Sequence, residues 1–151
     1  MERIATFKDY VGELKVTYKR TSLPIVKASN SKVCSDFIRP YFDECMDNHE
    51  EVKIIHLNRS NGVVNVHELS KGGMHSSIVD IRLILREALQ ISCVGVVLVH
   101  NHPSGNLKAS QIDKEITQKL KKACELVDIA LLDHIIITRE GYLSFADTGL
   151  L

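Results

Sequence analysis

Net charge is the first thing this sequence lacks: 19 Lys and Arg stand against 19 Asp and Glu, leaving a formal charge of zero. A module that grips nucleic acid through its phosphates shows a basic excess or a basic stripe. DNA association is therefore not supported by charge. Long apolar runs are also missing. No stretch of about 18 apolar residues exists, so no membrane span is expected. The opening residues, Met1 to Tyr10, lack the charged-then-apolar order of a signal peptide. Together these absences lead to the expectation of a soluble cytoplasmic protein. The third absence is of closely spaced cysteines. Cys34, Cys45, Cys93 and Cys124 include no pair with the two-residue gap of a zinc knuckle. Each is read as a small buried hydrophobe rather than a disulfide partner or a reactive thiol. Internal repeats and low-complexity tracts are absent too.

What is present is an ordinary globular composition, 44% hydrophobic and 25% charged, in 151 residues. That suffices for one domain with a full core. Residues 1–28 read as an N-terminal arm with short extended pieces. Leu14 to Tyr18 alternates apolar and polar like a half-buried strand, and Leu23 to Val26 is a second such piece. From residue 29 the pattern strengthens. Ser29-Asn30-Ser31 opens a helix carrying Val33, Phe37, Ile38, Tyr41 and Cys45 up to about Met46. Val52–Leu57 and Val63–Leu69 flank Asn58 to Gly62, where Asn-Gly signals a hairpin. After the Gly72-Gly73 break, Ile78, Ile81, Leu85, Ala88 and Leu89 mark an amphipathic helix. Cys93 to Val99 is a continuous apolar run, as in a strand buried on both faces. A helix opened by Ser110 has Ile112, Ile116, Leu120, Ala123 and Val127 as its buried stripe. A strand over Ile129–Ile137, interrupted by Asp133-His134, and a last strand over Tyr142–Phe145 complete the chain. The alternation predicts a layered α/β domain with helices on both faces of a mixed sheet.

The apolar run leads directly into His100-Asn101-His102-Pro103-Ser104-Gly105. Period-two geometry puts His100 and His102 on one side of an extended backbone. Asp113, in the first turn of the next helix, comes within reach if the loop folds back. Two imidazoles and one carboxylate form a three-ligand set suited to catalytic zinc, with a fourth position left for water. Zinc of that kind lowers the pKa of its water toward about 7. Ser110 to Asp113 is equally a plain capping box. Both readings hold together, because a carboxylate has two oxygens.

His-x-His, ten residues, then Asp resembles the JAMM (MPN-plus) metalloprotease pattern. His100 to Gly105 resembles more narrowly its RadC-like branch. Gly72-Gly73, Arg82, Ala88, Thr117, Leu132 to Ile136 and Tyr142 to Phe145 support that likeness, which covers about residues 30–148. The resemblance implies a three-layer α-β-α domain of JAMM/MPN, cytidine-deaminase-like architecture over 29–151. It further implies zinc as cofactor and hydrolysis of a peptide or isopeptide bond in an unknown protein substrate. It gives Glu50 the role of general base, with Glu51 the runner-up, and makes Ser110 the oxyanion-supporting hydroxyl. Read without the family, Glu50 is an exposed charge at a strand start.

The chain departs from the family at Ala109, where proline is common. Residues 1–28 also do not resemble the helix-hairpin-helix region that often precedes such domains. Any DNA contact carried by that region is therefore expected to be missing. The rival reading is a non-catalytic accessory protein linked to DNA repair, with a structural metal site. A zinc deaminase is disfavoured because the Pro-Cys-x-x-Cys ligand pair is absent. His134 is either a partner that orients a metal ligand or half of a buried structural pair with Asp133, and the structural role is preferred. His49, His56, His67 and His75 read as surface or satisfied core histidines.

Overall fold

A computed structural model describes residues 11–71 and 79–151. Gly72-Gly73, His75 and Ile78 lie outside the described residues. The elements are α1 (Ser31–Ile38), a 3-10 turn (Arg39–Phe42), β1 (Glu51–Leu57), β2 (Val63–Lys71), α2 (Ile81–Ile91), β3 (Gly95–Asn101), α3 (Gln111–Glu125), β4 (Ala130–Ile137) and β5 (Tyr142–Ser144). The five strands form one sheet in the order β2-β1-β3-β4-β5. Only β3 and β4 pair in parallel; the other neighbours are antiparallel, so the sheet is mixed. No helix among the described residues is long and apolar enough to cross a membrane.

Alternation along the two central strands sorts the core. Val52, Ile54, Val96 and Leu98 face one side, where Ile84 and Ala88 of α2 and Leu120 and Cys124 of α3 cover them. Ile55, Leu57, Val97 and Val99 face the other side, against Cys34 and Ile38 of α1 and Phe42 of the turn. Every residue of β1 and β3 is buried, as the apolar run suggested. The hairpin falls where Asn-Gly placed it. Asn58 Oδ1 accepts from the Ser60 and Gly62 amides at 3.0 and 2.9 Å, and Asn61 takes a left-handed φ of 58°.

Several expectations are corrected. Leu14 to Tyr18 is not a strand, and the apolar side chains of that stretch are exposed. The arm touches the hairpin and sheet through the bridge Lys27–Gly62 and through the Tyr18 hydroxyl, which donates to the Val64 carbonyl of β2. The first helix ends at Ile38 rather than Met46, because Pro40 has no N–H to give to the turn before it. In α3, Ile112 is 64% exposed and the buried line includes Thr117, Leu120 and Cys124. That rotation brings Asp113, one turn before Thr117, to the sheet side. In β4, Asp133-His134 does not interrupt pairing. Instead Leu132 bulges, since Val96 pairs with Leu131 and Val97 with Asp133. All four cysteines are free and buried. Burial pushes the Cys34 and Cys124 thiols up to about 11 and Cys45 to about 12, far from a reactive thiolate.

Candidate metal centre

The site forms where β3 leaves the sheet. His100 is its penultimate residue, and His102 continues the ladder one step by donating its amide to Ile137 O at 3.0 Å. The Gly105 amide then closes a turn onto His102 O at 3.0 Å, with Gly105 at a φ of 78°. A glycine takes that left-handed conformation without Cβ strain. The chain folds back to Ser110, which caps α3. Ser110 Oγ accepts the Asp113 amide at 3.0 Å, and the Ser110 amide donates to Asp113 Oδ2 at 2.7 Å. This reciprocal box holds the carboxylate at the helix start.

His100, His102 and Asp113 converge, with one ligand atom from each lying within 4.8 Å of the others. The two Nε2 atoms are 2.9 Å apart. Asp113 Oδ1 is 3.3 Å from His100 Nε2, and Oδ2 is 3.7 Å from His102 Nε2. Proton bookkeeping shows what such a cluster needs. His102 Nδ1 lies 2.6 Å from the Asn106 carbonyl, which can only accept, so Nδ1 carries the proton. Nε2 is then the ring atom that faces His100 and Asp113. The Asp113 oxygens also only accept. Burial pushes the His100 pKa down, against the opposing pull of Asp113. A metal cation fits this donor set, and two imidazoles with one carboxylate suit zinc.

The two glutamates before and at the start of β1 part company. Val52 pairs with His100. The β1–β3 pairing ends at that pair, and Glu50 immediately precedes β1. Glu51 belongs to the face opposite His100. Its carboxylate is bonded to Lys53 Nζ at 2.6 Å and to His49 Nε2 at 2.8 Å. Lys53 also reaches Glu68 at 3.2 Å and lies over the Phe42 ring. Burial works to raise the Glu51 pKa, but the bonds from Lys53 and His49 outweigh it and hold the carboxyl below its ordinary value.

One feature escaped the sequence reading, and another was weighed there without being preferred. Asn101, between the histidines, is fully buried. Its Nδ2 donates to the carbonyls of Cys45, Met46 and His49 at 3.2, 3.2 and 2.9 Å, and its Oδ1 accepts the Glu51 amide at 2.7 Å. Both peptide units flanking Glu50 are thus tied to one side chain. A buried amide inside an apolar strand end was the available signal, because such a group must find partners. His134 touches the site as well, with Nε2 at 2.8 Å from His100 Nδ1. Burial pushes its pKa well down. His56 departs from expectation, since it is core but its Nε2 has no hydrogen-bond partner among the described residues; His67 Nε2 has none among them either, though it lies 3.9 Å from a Glu87 carboxylate oxygen.

A family model described as the RadC-like JAB domain matches residues 28–150. The chain belongs to the RadC-like JAB domain family. Among similar proteins, a "UPF0758 protein" of Flavobacterium johnsoniae is 44% identical over 128 residues, covering 85% of this chain and 55% of that protein. One of Porphyromonas gingivalis is 36% identical over 82% of the chain and 54% of its own length. One of Clostridium perfringens is 37% identical over 92% of the chain and 60% of its own length. This RadC-like JAB domain spans about half the length of the curated relatives it matches.

Proposed function

We propose that this chain is a zinc-dependent hydrolase of the JAMM type that cleaves a peptide or isopeptide bond. The observation that carries the reading is the convergence of His100, His102 and Asp113, whose ligand atoms all lie within 4.8 Å of one another. Helices on both faces of one sheet support the three-layer, deaminase-like architecture that goes with it. The functional unit is taken as 29–151, with 1–28 as its arm. Bound by these three residues, zinc supplies a Lewis acid and lowers the pKa of water. Glu50 takes the proton of the attacking water and returns it to the leaving amine. Asn101 supports that assignment by holding the backbone on either side of Glu50. Glu51 is held by Lys53 and His49 on the α1 face, the face opposite His100, which favours Glu50 over it. Ser110 lends its hydroxyl to the oxyanion. Three protein ligands rather than four among the described residues favour the catalytic reading over a closed structural site.

The test is metal analysis of the purified protein, followed by a hydrolysis screen over peptide and isopeptide substrates. Glu50→Gln is expected to keep one zinc and to lose about 10²–10⁴ in rate. A Glu50→Gln variant that turns over substrate at full rate overturns the base assignment. Purified protein that takes up no zinc sinks the whole reading.

A further inference from the structure

A buried polar chain runs behind the candidate ligands. His100 Nδ1 lies 2.8 Å from His134 Nε2, His134 Nδ1 lies 2.6 Å from Thr117 Oγ1, and Thr117 Oγ1 lies 2.6 Å from the Asp113 carbonyl. His100, His134 and Thr117 are all buried, so solvent does not substitute for any link. The chain has one end whose polarity is fixed. The Asp113 carbonyl can only accept, so the Thr117 hydroxyl donates its single proton there. Thr117 Oγ1 must then accept from His134 Nδ1–H. A neutral His134 is left with a lone pair at Nε2, which accepts from His100 Nδ1–H. His100 in turn presents its lone pair at Nε2, toward His102 and Asp113. Every proton position follows from the carbonyl.

The fold builds this orientation deliberately. The Leu132 bulge adds one residue to β4, so Leu98 pairs with His134. Without it, Asp133 would pair with Leu98 and His134 would face α1. Gly95 leaves room for the Leu132 side chain at the bulge, since a Cβ there would lie 3.0 Å from Leu132 Cδ1. On the other face, Asp133 is fastened by Ser144 Oγ at 2.6 Å and the Ala146 amide at 3.0 Å.

We propose that Thr117 and His134 are positioning residues that fix the tautomer and ring orientation of His100 for metal binding. The inference rests on the metal reading above but not on any hydrolytic activity. Partners of this type, when removed, cost about 10–100-fold in metal affinity.

The experiment titrates the whole chain with Zn²⁺ against a chromophoric chelator, and with Co²⁺ while recording its visible spectrum. Thr117→Val keeps the volume and deletes the hydroxyl, whereas Thr117→Ser keeps the hydroxyl and deletes a methyl. The relay predicts that Thr117→Val weakens Zn²⁺ binding about 10-fold and alters the cobalt spectrum, while Thr117→Ser stays within about 2-fold of the parent. A packing role predicts the reverse order. His134→Phe is expected to weaken binding by about 10–100-fold; should it not fold, the threonine pair still decides. Thr117→Val that binds Zn²⁺ like the parent, with an unchanged cobalt spectrum, overturns the inference alone. A parent chain that binds no Zn²⁺ overturns the metal reading and this inference with it.

Discussion

On the α1 face of the sheet, the buried Glu51 carboxylate has its own cation, Lys53, at 2.6 Å, with Glu68, His49 and a cleft of about 400 Å³ beside it. On the α3 face, His100, His102 and Asp113 meet as donors alone. The clusters lie on opposite faces of the sheet, one on β1 and β2 and the other at the end of β3 and the start of α3, and their electrostatics are opposite. Burying a charge costs several kcal/mol unless a partner compensates it. The α1 cluster meets that demand from within the chain, and its carboxylate is locked in place. The α3 cluster pairs its carboxylate with two histidines and, among the described residues, with no lysine or arginine, which is where the proposed cation fits. Charge balance thus separates a structural polar cluster from a functional one where burial does not.

The largest effect that sharpens this contrast comes from His102→Ala. Zinc affinity is expected to fall about a thousand-fold or more, roughly 4 kcal/mol. Without zinc, the same change should leave stability within about 0.5 kcal/mol of the parent, because it removes one of three crowded acceptors. Parent protein at zinc a hundredfold above its Kd should gain about 2.7 kcal/mol, and the variant none. Urea unfolding with and without zinc measures both quantities. A zinc-free variant several kcal/mol less stable than the parent breaks the distinction between the two clusters.

Lys53→Met addresses the other face. It strands a buried carboxylate and should destabilise by about 3–5 kcal/mol, with zinc affinity unchanged. Adding Glu51→Gln should recover at least half of that loss. The acid limb gives a further check, with its sign set by two shifts. Glu51 is held below its ordinary 4.5, so its stabilisation is present above that value and lost as pH falls through the folded pKa. Lys53 is opposed by burial but raised above 10.5 by its bonds to Glu51 and Glu68, so its share is present below 10.5 and lost at higher pH. In the double variant, zinc-free urea midpoints should show less dependence on pH at both ends. A single Lys53→Met variant as stable as the parent would show the pair contributes nothing.

The same contrast explains what the sequence could and could not reveal. The His-x-His pair was legible because it ends a continuous apolar strand, and the hairpin because Asn58 to Gly62 carries its own turn chemistry. Leu14, Val16 and Tyr18 misled for a physical reason. Period-two alternation says that one face prefers burial, not that a neighbour exists to bury it, and these side chains are 64, 53 and 59% exposed. The α3 stripe was legible at Leu120 and Val127, but Ile116 and Ala123 were read where Thr117 and Cys124 are buried, because hydrophobicity ranks Ile116 above Thr117 and does not register the bonds of the buried hydroxyl. His134 could not be oriented from sequence at all. Its face depends on the Leu132 bulge, and one extra residue reverses every side chain beyond it. Asn101 escaped because its four partners come from residues 45–51, about fifty positions away in the chain.

The smallest expected effect concerns Ser110, which the geometry makes a helix cap beyond any chemical role. Its hydroxyl accepts the Asp113 amide, but the carboxylate is anchored by the Ser110 backbone amide. Ser110→Ala removes the first bond and keeps the second. Stability should therefore fall by about 1 kcal/mol, the ordinary cost of a lost cap, while zinc affinity changes less than about 3-fold. Ser110→Asp restores a capping oxygen without restoring a neutral hydroxyl, so it should recover stability. If hydrolysis falls about 100-fold in both variants while zinc binding holds in Ser110→Ala, the hydroxyl serves the reaction and not only the helix. If hydrolysis recovers with stability in Ser110→Asp, the cap is the whole role. A large loss of zinc affinity in Ser110→Ala would mean that the capping hydroxyl, rather than the backbone amide, fixes the Asp113 carboxylate at the cation site.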